Sequence, residues 1–108
     1  MTLSKQRLNQ IIESFEKHSE ISWSDFSAQC SEIVVFGSWS IGREKAQSDL
    51  DLLCVGFSPA KASPKIDLLC YPQGFLLTQT WLTSELANHI AEYGVWLKGI
   101  GEWRNSVQ

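Results

Sequence analysis

The sequence is short of several features that would fix its class at once. It has no apolar run near the roughly 20 residues needed to cross a bilayer, so a membrane-spanning helix is not expected. The N-terminal MTLSKQRLNQ is polar and lacks the apolar stretch of a secretory signal, which points to a cytoplasmic protein. Cysteines number only 3 and histidines 2, and no CxxC pair occurs. An odd count argues against a disulfide framework, and a zinc site needs closer pairs than Cys30, Cys54 and Cys70 offer. Cys54 and Cys70 each close an apolar run, so the expectation is buried free thiols. Basic residues are few, 9 against 12 acidic ones for a net charge of −3. Such a chain carries no strong nucleic-acid signal, because phosphate binding normally draws on a basic surface.

What is present is an ordinary globular composition. The chain has 108 residues, 44% apolar and 19% charged, which is the size of one compact domain spanning 1–108. Residues 4–18 place Leu8, Ile11, Ile12 and Phe15 on one face at helical spacing. The Ser-rich 19–31 is weakly patterned and reads as a loop, with room for one helical turn. IVVFG at 33–37, LDLLCV at 50–55 and IDLLCY at 66–71 read as strands, the last stopped by Pro72. Between the first two, the polar 38–48 has room for one or two turns of helix. Residues 83–93 read as a helix with a Thr83 or Ser84 cap and a Gly94 stop, and 95–99 as a short last strand. Together these predict an α/β (α+β) domain, a small mixed sheet with flanking helices.

Carboxylates are the first chemical signal. The tetrapeptide DLLC occurs at 51–54 and again at 67–70, each time inside an expected strand. Side chains alternate along a strand, so Asp49 and Asp51 share a face about 7 Å apart, and Asp67 reaches that face from a neighbouring strand. Leu50, Leu52 and Leu68 lie on the opposite face, where a core belongs. Crowded negative charge of this kind suits divalent metal, since hard oxygen ligands hold Mg²⁺ together with substrate phosphates. A pair of ions about 4 Å apart clamps the attacking and leaving oxygens of a phosphoryl displacement. The spacing equally allows Asp49 to cap a turn with Ser48, and Asp51 and Asp67 to be edge charges that block aggregation.

Gly37-Ser38 is the second signal. It lies where a buried strand gives way to a polar segment, a place where backbone N–H groups and a hydroxyl can receive phosphate. An ordinary tight turn accounts for it too, and Gly42 reads equally well as a helix stop. Arg43 and Lys45 are the cations nearest along the chain, suited to a triphosphate or to a solvated face.

As a set, FGSWSIGREKAQSDLDLLCV at 36–55 resembles the nucleotidyltransferase signature of the DNA polymerase β superfamily. That signature is h-G-S-x-x-x-G, a short gap, then S-D-x-D-h. Gly37, Ser38, Gly42, Ser48, Asp49, Asp51 and Leu52 stand at its positions. Asp67 in KIDLLC matches the family's third carboxylate, and ELANHIAEYGVWL is similar to its closing helix and strand. The likeness runs from about 31 to 98 and is nearest to the short, minimal nucleotidyltransferases. Trp39 departs from it, standing where relatives carry a small or basic residue; it either stacks on a base or packs.

The resemblance implies a polymerase-palm-like fold and transfer of a nucleoside monophosphate, with ATP as donor and pyrophosphate leaving. It implies that Gly37, Ser38, Arg43 and Ser48 hold the nucleotide and that Asp49 and Asp51 bind two Mg²⁺ ions. Asp67 would complete the site and take the acceptor's proton. Many minimal members are antitoxins that adenylylate a HEPN-type helical toxin, so a protein partner is expected. An aminoglycoside-type transferase and a non-catalytic binding module are the alternatives. Trp81, Trp96 and Trp103 near the C-terminus suit a partner protein or a homo-oligomer, or equally well a core.

Overall fold

The computed structural model describes residues 3–45, 49–57 and 65–107. Its first helix, α1 (Lys5–Ser19), starts where Ser4 Oγ accepts the Arg7 backbone N–H at 3.1 Å. Ile11 and Phe15, one helical turn apart, are fully buried, as the spacing predicts. A second helix, α2 (Trp23–Gln29), replaces the expected loop. Ser22 caps it through the Asp25 N–H, and Phe26 alone is buried. Seven residues with one anchoring side chain are too few to show a helical period in the sequence.

The strands are β1 (Glu32–Phe36), β2 (Leu50–Val55), β3 (Ile66–Tyr71) and β4 (Val95–Lys98), arranged β3-β2-β1-β4. β1 runs antiparallel to both β2 and β4, and β2 runs parallel to β3. Both faces of the central strands are covered, which is why LDLLCV reads as a nearly unbroken apolar run. Ile33, Val35, Leu50, Leu52 and Cys54 pack against α1 and α2, through Ile11, Phe15 and Phe26. Val34, Phe36, Leu53 and Val55 pack on the other side against Leu82, Ile90 and two tryptophans. Those come from α3 (Gln79–Leu82), α4 (Glu85–Tyr93) and a 3₁₀ turn at Glu102–Ser106. Ser84 caps α4, and at Gly94 a Cβ would meet Ile90 O at 2.6 Å and Val34 Cγ1 at 2.8 Å. Among the described residues, no helix is long and apolar enough to cross a membrane.

The C-terminal tryptophans belong to the core. Trp81 and Trp103 are each 3% exposed and their rings meet edge to face at 5.4 Å. Trp103 and Trp96 donate their indole N–H groups to the same oxygen, Glu32 Oε2, at 2.7 and 2.8 Å. A single carboxylate on β1 thus pins the C-terminal turn to the sheet. Replacing Glu32 by Gln keeps an acceptor but removes its charge. It should lower stability by about 1 kcal/mol without changing the fold, read from urea unfolding with tryptophan fluorescence. An unchanged midpoint would mean the shared carboxylate contributes nothing.

Candidate active site

The site assembles at the end of the sheet where β1 finishes and β2 and β3 begin. Antiparallel pairing sets Asp51 opposite Phe36, the residue before Gly37. Parallel pairing sets Asp51 directly beside Asp67. The repeated DLLC is therefore a matched register, and its two aspartates are cross-strand neighbours. Asp49 precedes β2 and is exposed, Asp51 is half-buried and Asp67 is exposed. Leu50 and Leu52 are fully buried on the opposite face, as alternation requires.

The electrostatics follow from this crowding. The Asp51 carboxyl is pushed up to about 6, first by burial and then by the charges of Asp67 and Asp49. Asp67 and Asp49 thus both act on Asp51, and a cation placed among them would relieve that repulsion. Among the described residues, no three His, Cys, Asp or Glu side chains are grouped so as to hold a metal ion by themselves. The donor set fits Mg²⁺ in its usual mode, in which a few carboxylates leave the remaining positions to substrate phosphates and water.

Gly37 is shaped by the same carboxylate. Its φ is +73°, and a Cβ there would overlap Asp51 Oδ2. Only glycine lets the turn lie under Asp51 without strain. The expected one or two helical turns after Ser38 reduce to a 3₁₀ turn at Gly37–Trp39. Ser40 closes it, donating its Oγ–H to Gly37 O at 2.8 Å and its N–H to the same oxygen at 3.2 Å. So short a turn carries little macrodipole, and phosphate binding would rest on local N–H groups and the half-buried Ser38. Arg43 is exposed; its backbone N–H bonds Ser38 O at 2.9 Å and so shapes the loop. Ser48 lies outside the described residues.

Sequence reasoning missed Arg7. From α1 it crosses to the loop, donating to Trp39 O at 2.8 Å and to Glu44 Oε2 at 2.7 Å. Its guanidinium lies 4.8 Å from the centre of the Trp39 ring, so Trp39 packs against α1. The Arg7 hydrogen bond holds the Glu44 carboxyl below its ordinary range. Lys65, just before β3, and Lys17 of α1 were also missed. With Lys45 and Trp39 they line a cleft of about 570 Å³ beside this loop. Arg43 and Lys45 are thus not the only cations near the motif. Residues so distant in sequence leave no local pattern to find.

A family model described as a nucleotidyltransferase domain matches residues 9–98. The chain belongs to this nucleotidyltransferase family. The match includes Gly37, Ser38, Arg43, Ser48, Asp49, Asp51 and Asp67, begins after Arg7 and stops before the C-terminal 3₁₀ turn. No curated protein matches the chain. Among solved structures it is similar to a Sulfolobus solfataricus protein provisionally described as a nucleotidyltransferase, at 18% identity and a TM-score of 0.47. That alignment covers 94% of this chain and 95% of the other. It is also similar to a chain in a structure described as a toxin-antitoxin with AMP-PNP, at 15% identity and a TM-score of 0.45. There the coverage is 95% of this chain and 79% of the other. The family assignment rests on the sequence match.

Proposed function

We propose that this nucleotidyltransferase moves AMP from ATP onto a hydroxyl of a protein partner, using Mg²⁺ held at Asp49, Asp51 and Asp67. The observation that carries the reading is the cross-strand pair Asp51–Asp67 beside the Gly37 turn. In this reading the Gly37-Ser38 turn holds the β- and γ-phosphates. An acceptor oxygen attacks the α-phosphorus, the bond to pyrophosphate breaks, and pyrophosphate leaves. The acceptor's proton passes to an Asp67 carboxylate oxygen. Bound Mg²⁺ supplies positive charge where negative charge develops and eases loss of the hydroxyl proton. Asp67 suits the base role because it is exposed at the start of β3, where an acceptor can approach.

The protein acceptor is suggested by the likeness to the minimal nucleotidyltransferases, many of which pair with HEPN-type helical proteins. A cytoplasmic setting, with ATP and Mg²⁺ at hand, goes with this role. Titration calorimetry should show ATP binding that requires Mg²⁺. Equal affinity in EDTA would remove the metal from the account.

A further inference from the structure

Three cysteines far apart in sequence meet at one point in the fold. Cys54 and Cys70 are register partners on β2 and β3, with their Sγ atoms 3.2 Å apart. Cys30, at the C-terminal end of α2, hydrogen-bonds the same Cys54 thiol. Cys54 is fully buried, whereas Cys70 on edge strand β3 is half-buried and the more accessible of the two. Neighbouring strands run about 4.8 Å apart, within the Cα separation of roughly 4.4–6.8 Å that a disulfide spans. That spacing meets the Cα requirement of a disulfide, and the two sulfurs already touch. Packing alone would be served by any small apolar side chains; two thiols in contact add a chemistry that packing does not use.

We propose that Cys54 and Cys70 form a reversible dithiol–disulfide site, oxidised by a peroxide. Cys70 gives up its proton, its thiolate attacks one peroxide oxygen and the O–O bond breaks. The departing hydroxide takes up that proton and leaves as water, and Cys70 becomes a sulfenic acid. The Cys54 sulfur then attacks the Cys70 sulfur, forming the S–S bond. The Cys54 proton and the sulfenic hydroxyl depart as a second water. Peroxide is reduced by two electrons and the two thiols are oxidised by two. Burial pushes the Cys70 thiol up, which lowers its thiolate fraction and slows its reaction with peroxide. The bond ties together the two strands that carry Asp51 and Asp67, fixing their register. It stands independently of the proposed nucleotide transfer.

The test is peptide mapping of the full chain after hydrogen peroxide treatment, by mass spectrometry without reduction. A Cys54–Cys70 linked peptide, lost again on adding dithiothreitol, is the expected result. Cys54→Ser should stop the reaction at a Cys70 sulfenic acid that dimedone labels. Cys30→Ser should leave the bridge intact. A bridge between Cys30 and Cys54, or Cys70 driven to sulfinic acid without any bridge in the unaltered chain, would overturn the proposal. The map of the unaltered chain decides the matter even if a variant fails to fold.

Discussion

Replacing Asp49 and Asp51 together by asparagine should abolish nucleotide transfer and leave the melting temperature level or slightly raised. Metal-assisted displacement supplies several kcal/mol of barrier lowering, so the rate should fall by at least about a thousandfold. Stability moves the other way because these carboxylates repel one another when no cation lies between them. The pH dependence carries a definite sign. In the folded, metal-free protein the Asp51 carboxyl lies at about 6, against an ordinary 3.8. Its contribution to stability is complete below the lower value and is lost as pH rises through the upper one. Asparagine cannot ionise, so Asp51→Asn alone should match the unaltered chain below pH 3.8, gain on it as pH rises to about 6, and hold its full advantage above that. Melting temperature measured in EDTA across that range reads the difference. A variant that melts well below the parent at neutral pH would instead mark these residues as structural caps.

Gly37→Ala should damage both fold and function. At φ +73° an alanine costs on the order of 1 kcal/mol in backbone energy alone. Its Cβ would also displace the Asp51 carboxylate, raising the total to about 2 kcal/mol or more. Because Asp51 moves, the candidate metal site moves with it, and transfer should fall by orders of magnitude. Gly42→Ala is the matched control. Its φ is +72°, yet a Cβ there meets nothing within 4 Å. It should cost about 1 kcal/mol and keep most of the activity. Equal losses for the two variants, in urea unfolding and in rate, would show that backbone strain accounts for both.

Much of this arrangement was written in local pattern. Helical period announced α1 and α4, and apolar runs bounded by Gly or Pro announced β1, β2 and β3. The repeated DLLC anticipated the cross-strand pairing of Asp51 with Asp67, because a strand period of two leaves their faces no freedom. Short elements escaped. α2 holds one buried side chain, and the stretch from Phe75 to Leu82 holds three split between two short elements, too few in each to mark a period. The helix expected after Ser38 shrank because the chain there is held by Arg7, which donates to Trp39 O and Glu44. Tertiary bonds of that reach overrode local preference. The same holds for Trp96 and Trp103, whose shared acceptor Glu32 lies 64 and 71 residues away in sequence. The meeting of Cys30, Cys54 and Cys70 was invisible too, since their wide spacing argued only against a metal or disulfide framework.

The central claim is transfer of the α-phosphoryl group, with its nucleoside, through Asp49, Asp51 and Asp67. It is tested most directly by mixing the protein with host-cell extract and Mg²⁺, supplying ATP labelled at either the α- or the γ-phosphate. The α-label should appear covalently on a polypeptide, require the divalent ion, and vanish with the Asp49→Asn/Asp51→Asn variant, while the γ-label stays off protein. Transfer of the γ-label, or α-labelling undiminished in the double variant, would contradict the account.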